Sequence, residues 1–177
     1  PVISSFTPTV IDADVGGTIT ITGQNFASIP KVELQRSNGL VQSATSVTFS
    51  SATSISFTTG TTGLTNGQNV NILITNPDGN AVRSSTALLT VSDAPAWTTS
   101  AGSLGDNAAG SSVSYTVAAT GATSFAKTSG TFPGGVSLDT STGVISGTES
   151  GATAETTYNF TITATDAEGQ TADRAFS

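Results

Sequence analysis

The sequence contains no cysteine, no histidine and no methionine. Their absence excludes disulfide bonds, metal sites built on thiolate or imidazole, and every catalytic triad that needs an imidazole base. Charged residues are also few, with 12 acidic and 5 basic side chains and a net charge of −7. Five cations cannot form a basic surface that follows a phosphate backbone, so we expect no nucleic-acid partner.

Long apolar runs are missing as well. No stretch of about 18 apolar residues is present, and residues 1–6 lack the basic and then apolar pattern of a signal peptide, so we expect no membrane insertion. The chain begins with Pro1, and its final strand pattern, from about Gln170, stops at Ser177 with room for another apolar pair. Both ends lead us to expect an internal segment of a longer polypeptide.

Hydroxyl side chains are abundant, with 25 serines and 33 threonines. They alternate with apolar residues, a pattern that predicts strands with one buried face. The alternating segments are residues 18–22, 47–49, 55–57, 70–72, 113–117 and 157–164. Turn signals rich in glycine, asparagine and aspartate separate them, and no segment of ten or more residues has a helical period. The pattern therefore predicts an all-β chain built as β-sandwiches.

The best domain boundary lies between Ser92 and Pro95, because proline cannot donate to a strand ladder. It divides the chain into two predicted domains, residues 1–93 and 94–177. The whole chain is about twice as long as one small sandwich needs. Each half is therefore long enough for one small sandwich with a thin core. We therefore predict two tandem immunoglobulin-like β-sandwiches with few contacts across the boundary.

Three blocks in the first half carry a family resemblance. They are residues 1–8 (PVISSFTP), 16–26 (GGTITITGQNF) and 70–79 (VNILITNPDG). In this order they resemble the IPT/TIG family of immunoglobulin-like domains. The alternation places Ile19 and Ile21 inward, and the Asn-Pro-Asp-Gly run predicts a tight turn before the last strand.

The second half resembles a different family, the cadherin-like Ig modules of bacteria. The resemblance rests on residues 132–148 (FPGGVSLDTSTGVISGT), followed by a strand over 158–165 and the turn at 166–169. Such modules serve as spacers, adhesins and ligand binders, so the resemblance indicates the fold more sharply than the function. Residues 96–105 (AWTTSAGSLG) in addition resemble structural proteins of marine tailed phages.

Calcium is the one metal whose binding the sequence does not exclude, because the cadherin-like resemblance implies calcium at domain junctions. Its candidate ligands are Asp93, Asp166 and Glu168, with Asp12 and Asp14 as a further acidic pair. Calcium needs six to eight oxygens, and the run that starts at Asp12 does not keep the EF-hand register. We expect no bound metal and no cofactor, and we interpret these acids as solvated turn carboxylates.

Two Ser-x-x-Lys spacings, Ser28 to Lys31 and Ser124 to Lys127, are the only patterns typical of an acylating nucleophile. The second resembles part of the motif set of penicillin-binding proteins and β-lactamases. In that family the serine lies at the beginning of a helix, whereas apolar and polar residues alternate in this segment as they do in a strand. The carboxylates that a glycosidase would need lie mostly in turns beside glycine. We therefore predict no catalytic residue and no enzyme activity.

Aromatic residues make up 6% of the sequence, and Trp97 is the only tryptophan. It is either a first-strand side chain packed at the domain junction, which we favour, or an exposed platform for a sugar. Tyr115 and Tyr158 fall at inward positions of predicted strands. A carbohydrate-binding surface would need exposed aromatics that this pattern does not provide.

These observations favour a non-enzymatic structural or display module of a phage virion, in a tail, baseplate or capsid-surface fibre. The expected partners are other virion or surface structural proteins in a multi-copy assembly, with a host-surface glycan or protein as a further partner. The expected location is the virion surface. A bacterial cell-surface adhesin or appendage, extracellular in location, is the second interpretation, and a carbohydrate-binding accessory domain of a secreted enzyme is the third.

Overall fold

In a computed structural model of the chain, the described residues are 1–36, 39, 41–85, 89–151 and 154–177. Their regular elements are all β-strands. None of these residues belongs to a helix long and apolar enough to cross a membrane. The chain divides into two compact units, unit 1 (Pro1–Asp93) and unit 2 (Ala94–Ser177).

The described residues of unit 1 form ten strands in two sheets. They are β1 (Val2–Thr7), β2 (Val10–Ile11), β3 (Thr18–Gln24), β4 (Lys31–Gln35), β5 (Val41–Ser43), β6 (Ser46–Ser51), β7 (Ser54–Thr58), β8 (Gln68–Thr75), β9 (Ala81–Arg83) and β10 (Leu89–Val91). One sheet has the order β1-β3-β7-β6, and the other has the order β2-β10-β8-β4-β5 with β9 also paired to β8. Two facing antiparallel-rich sheets of this kind form an immunoglobulin-like sandwich.

The core of unit 1 is formed by the inward positions of its longer strands. In β3, every second residue is buried and the intervening threonines are exposed, as the strand period of two requires. Ile19 and Ile21 are fully buried, as predicted. Strands β4, β7 and β8 repeat this alternation and complete one continuous cluster.

The Asn-Pro-Asp-Gly run does form a tight turn, but two strands of unit 1 follow it rather than one. The turn joins β8 to β9, with the Gly79 N–H donating to the Asn76 carbonyl oxygen at 2.9 Å. The last strand of the unit is β10, which pairs with β8 on the side of its first residues. No separate alternation marks β9, because that strand is only three residues long.

Within unit 2, the part that the structure describes forms eight strands in three small sheets. They are β11 (Ala96–Trp97), β12 (Ser112–Thr116), β13 (Ala119–Thr120), β14 (Ser124–Gly130), β15 (Gly134–Leu138), β16 (Val144–Ser150), β17 (Phe160–Thr165) and β18 (Thr171–Phe176). The sheet orders are β11-β13, β12-β16-β15 and β14-β17-β18. The final strand, β18, pairs antiparallel with β17 along its whole length, as predicted.

Unit 2 has a smaller core that depends on aromatic rings. Phe125, Phe160 and Phe176 are buried together with four aliphatic residues. Their rings, with Trp97 and Phe132 at the margin, contact one another at centroid distances of 4.7 to 6.1 Å. Large rings allow a few residues to bury much apolar surface.

In each unit, the beginning and the end of the chain segment are joined by parallel backbone pairing. In unit 1, β2 and β10 run parallel, and Thr90 N–H donates to the Thr9 carbonyl at 2.8 Å. In unit 2, Gly102 and Phe176 form a parallel bridge, extended by the Leu104 N–H to Ser177 carbonyl bond at 2.9 Å. Both units thus close their two ends against each other.

Candidate functional site

Unit 1 brings together three of the acids singled out in the sequence. Carboxylate oxygens of Asp12, Asp14 and Asp93 all lie within 4.8 Å of one another. Asp14 is exposed and the other two are half-buried. The Oδ1 atom of Asp93 is buried and receives no hydrogen bond from the described residues. The cluster combines a linker residue with a turn far away in sequence, so no local motif revealed it.

Asp12 has a structural task within this cluster. Its Oδ1 atom accepts hydrogen bonds from the backbone N–H groups of Asp14, at 2.7 Å, and Val15, at 3.0 Å. The Gly16 N–H donates to the Asp12 carbonyl at 2.9 Å, and Gly16 has a positive φ of 73°. Asp12 therefore closes the turn that leads from β2 towards β3, a common role for aspartate.

Asp166 and Glu168 lie in the turn between β17 and β18 and belong to no such group of acids among the described residues. Asp166 is buried, with 7% of its surface exposed, and its Oδ1 atom accepts N–H bonds from Glu168 at 3.0 Å and Gln170 at 2.7 Å. The interpretation of Asp166 as a solvated carboxylate is therefore wrong. A carboxylate that receives two backbone donors can be buried because those bonds replace water.

Trp97 packs inside unit 2 and is not an exposed platform. Its ring lies 5.9 Å from that of Phe125 and 5.5 Å from that of Phe176, between centroids. Its indole N–H donates to the Ala172 carbonyl at 3.1 Å, and the Arg174 guanidinium lies 5.9 Å from the ring centroid. Ring packing combined with a satisfied N–H is the usual state of a structural tryptophan.

Ser124 and Lys127 lie on β14, so the serine does not open a helix. The Lys127 ammonium donates to the Gly130 carbonyl at 2.8 Å and lies 5.8 Å from the centroid of the Phe132 ring. Lys127 thus holds the end of its own strand, where the bulge between Lys127 and Ser129 interrupts the pairing with β17. The observed strand agrees with the alternation that argued against an acylating serine.

A cavity of about 760 Å³ lies within unit 2. It opens between the two three-stranded sheets, beside β12 and β16 on one side and the start of β17 on the other. Two irregular segments, residues 103–109 and 154–158, complete its wall. Its volume lies within the range of about 300 to 1,000 Å³ that is usual for small-molecule sites.

Aromatic residues form part of the cavity wall. Tyr115 comes from β12, Phe132 from the segment before β15, and Tyr158 from the segment before β17. Both tyrosines are half-buried. Tyr158 was predicted to occupy an inward position of a strand, but β17 begins only at Phe160, so Tyr158 lies in a cavity-lining segment instead.

Hydrogen bonds fix the position of Tyr115 in this wall. The side-chain amide of Asn107 donates to the Tyr115 hydroxyl oxygen at 2.8 Å. Gly105 has a φ of 141°, and a Cβ atom there would lie 2.5 Å from the same hydroxyl oxygen. Glycine at this position therefore allows the backbone to approach the tyrosine closely.

Three carboxylates also line the cavity, and no lysine or arginine does among the described residues. Glu149 on β16 is buried, with 7% of its surface exposed, and its Oε2 atom accepts the Gly110 N–H at 2.7 Å. Asp106 and Glu155 are exposed. The wall is thus aromatic, acidic and partly pre-organised. Sequence reasoning missed it because its members come from five separate segments.

Comparison with protein-family models identifies both halves of the chain. The model of the IPT/TIG domain matches residues 1–91. The model named Putative Ig domain matches residues 94–177. No curated protein sequence matches the chain.

Three solved structures illustrate the fold neighbours. Bacteroides ovatus SGBP-B of a mixed-linkage glucan utilization locus, in complex with a heptasaccharide, is 18% identical, with a TM-score of 0.37, over 96% of this chain and 43% of that one. The fibronectin(III)-like modules of Clostridium thermocellum CbhA are 14% identical over 99% and 90%, with a TM-score of 0.35. The Ig1-2 module of the Drosophila receptor phosphatase DLAR is 15% identical over 97% and 95%, with a TM-score of 0.31.

Proposed function

We propose a structural role for this chain on the premise that it belongs to the IPT/TIG domain family through residues 1–91 and carries a second immunoglobulin-like domain after it. In this proposal the chain is a non-enzymatic spacer and display module of a phage virion, in a tail, baseplate or capsid-surface fibre. It separates or presents a host-attachment element and contacts other virion proteins. The two units are independent domains of that module.

The observation that carries the proposal is the parallel pairing of the two ends within each unit. Once β1 has separated from β3, a pull on the ends of unit 1 is directed along β2 and β10, so it loads their backbone hydrogen bonds together. The same holds for the bridge between Gly102 and Phe176 in unit 2. Bonds that are loaded together in shear resist force better than bonds that open one after another. Such closure suits a domain that must transmit force.

A pulling experiment on single molecules tests the mechanical part. With the full chain between two handles, we expect two unfolding events. Their contour-length gains are at most about 330 Å for unit 1 and about 300 Å for unit 2, at about 3.6 Å per extended residue.

Thr90→Pro should lower the unfolding force of unit 1 and leave that of unit 2 unchanged. Proline removes the N–H that donates to the Thr9 carbonyl at 2.8 Å, while the neighbouring residues keep their pairing with β8. Ile55→Val is the matched control, because it weakens the core of unit 1 by about 1 kcal/mol without touching the pairing of the ends. Equal effects of the two variants on the force would contradict the proposed role of the parallel pairing.

Antibody labelling tests the virion part. Antibodies raised against residues 1–177 should decorate the tail, baseplate or capsid surface of purified virions in electron micrographs. Decoration of the envelope of uninfected bacteria, with unlabelled virions, would instead support the alternative of a bacterial surface adhesin and would overturn the virion assignment.

A further inference from the structure

We propose that the cavity of unit 2 binds an organic ammonium cation, that is, a positively charged amine or quaternary ammonium group carried on a larger apolar or carbohydrate body. This inference concerns ligand recognition and does not depend on the spacer role. It rests on two tyrosines and three acidic side chains that line one cavity, with no lysine or arginine among its described lining residues.

The negative charge of the wall determines the sign of the charge that a ligand must carry. Asp106, Glu149 and Glu155 line the cavity, and no lysine or arginine lines it among the described residues. A cation entering this space meets attraction from several sides, whereas an anion is repelled.

The aromatic faces select the type of cation. Tyr115 and Tyr158 line the same cavity as the carboxylates, whereas the Phe132 ring, which also lines it, is already contacted by the Lys127 ammonium at 5.8 Å from its centroid. The negative face of an aromatic ring attracts an ammonium group within about 6 Å of its centroid, and quaternary ammonium groups are often bound by several such rings. A small inorganic cation gains less from these rings, because it would have to give up a tightly bound hydration shell.

The wall is held in place before any ligand arrives. The segment 103–111 is fixed at one end by the Leu104 N–H to Ser177 carbonyl bond, at 2.9 Å, and at the other by the Glu149 N–H to Ser111 carbonyl bond, at 3.0 Å. The bond from Asn107 fixes the Tyr115 hydroxyl, and the bond from Gly110 fixes Glu149. Pre-organisation of this kind reduces the entropy that binding must spend.

The size of the cavity limits what else the ligand contains. At about 760 Å³, the space is several times larger than one ammonium group needs. The remaining volume is bordered by apolar residues such as Val113 and Ile145. The ammonium group is therefore the recognised end of a larger molecule, and an amino sugar and a choline-bearing chain share this chemistry.

Matched pairs of small molecules test the charge requirement on the full chain by NMR titration. Choline and 3,3-dimethyl-1-butanol have the same shape but differ in charge. We expect choline to shift the resonances of Tyr115 and Tyr158 and to bind about tenfold more tightly than the neutral alcohol. Equal binding of the two, or no binding of choline, would overturn the proposal.

A second pair identifies the body of the ligand. Glucosamine and N-acetylglucosamine share a sugar ring, but only glucosamine carries a cationic amine. Tighter binding of glucosamine than of choline indicates an amino sugar, and the reverse order indicates a choline-bearing ligand. Binding of N-acetylglucosamine as tight as that of glucosamine would show recognition of a neutral sugar and would contradict the proposal.

Variants locate the site. Glu155→Gln together with Asp106→Asn should weaken choline binding about tenfold, because both carboxylates are exposed at the cavity and their replacement preserves size. Glu168→Gln with Asp139→Asn is the matched control, with the same change in net charge on exposed turns of unit 2 that do not line the cavity. Equal weakening by the two double variants would show a general charge effect and would overturn the site. Unchanged Trp97 fluorescence verifies that the unit remains folded.

Discussion

At the scale of single residues, Asp139 shows how the hydrogen bonds of a turn alone can shift the pKa of a side chain. It lies between β15 and β16, and its Oδ1 atom accepts bonds from the Ser141 hydroxyl at 2.7 Å and from the N–H groups of Ser141 and Thr142. The hydroxyl bond is the main cause that lowers the pKa of Asp139 to about 2. The ordinary geometry of an aspartate turn thus explains the shift.

We therefore expect Ser141→Ala to raise the pKa of Asp139 towards its usual value near 3.8. A carboxyl carbon NMR titration from pH 1.5 to 6 measures this directly. Because the folded pKa is lowered, the stabilisation from the ionised carboxylate is complete above about pH 4 and is lost as the pH falls through about 2. The difference in melting temperature between wild type and Ser141→Ala should shrink over that interval. An unchanged pKa in the variant would show that the two backbone donors alone cause the shift.

At the scale of elements, Asn76 lies in the turn between β8 and β9 and holds the connection between β3 and β4. It is 6% exposed, its amide donates to the Asn25 carbonyl at 2.8 Å, and its Oδ1 atom accepts the Ala27 N–H at 3.1 Å. The connection that it holds, between β3 and β4, contains Asn25 and Ile29 with positive φ angles of 58° and 51°. Such backbone conformations are unfavourable for residues with a side chain, most of all for isoleucine, so the connection needs external support.

Asn76→Ala should therefore lower the free energy of unfolding of unit 1 by about 2 kcal/mol, since it leaves two backbone groups without their buried partner. Differential scanning calorimetry measures the loss. Asn80→Ala is the control, because Asn80 is exposed in the same turn and should change stability by less than about 0.5 kcal/mol. Similar losses for both variants would mean that Asn76 acts only through the turn and not through the connection.

Most strands could be predicted from alternation, because burial on one face imposes the period of two within a single segment. Residues 18–22, 55–57 and 113–117 all fall on observed strands or end within one residue of them. The segment 157–159 has the same alternation but precedes β17, since strand formation also needs a backbone partner that no local pattern encodes. The cavity and the acidic cluster of unit 1 escaped prediction for that reason: both depend on which distant segments meet.

At the scale of the whole molecule, we expect stability to be independent of metal. The acidic cluster of Asp12, Asp14 and Asp93 offers six carboxylate oxygens at most, and the Asp12 Oδ1 atom already accepts two backbone N–H groups. Calcium takes six to eight oxygens, so much of its shell would have to be water. Addition of a chelator should leave both melting transitions unchanged.

A rise of several degrees in melting temperature with millimolar calcium would contradict this expectation, because a ligand that binds the folded state stabilises it. Asp14→Asn would then show whether the cluster is responsible. Its carboxylate is exposed, and the turn bonds of Asp12 use only the backbone N–H of residue 14. Loss of the calcium effect in that variant would assign the three acids as ligands, and its persistence would point to Asp166 and Glu168.

The independence of the two units gives the last prediction, and the single tryptophan provides the means to test it. Trp97 packs against Phe125 and Phe176 in unit 2, so its fluorescence reports the unfolding of that unit. Ile162 in unit 2 and Ile72 in unit 1 are both fully buried.

Replacement of either isoleucine by alanine should cost about 2 to 5 kcal/mol, and each kilocalorie lowers the melting temperature of a domain of this size by about 4 to 8 °C. Ile162→Ala should therefore lower the fluorescence midpoint by about 10 °C or more. Ile72→Ala should leave that midpoint unchanged while lowering a second calorimetric transition, because the core of unit 1 consists of residues from Phe6 to Val91 and contains none from unit 2. If Ile72→Ala lowered the fluorescence midpoint as much as Ile162→Ala, the two units would unfold as one, and the proposal of two independent domains would be wrong.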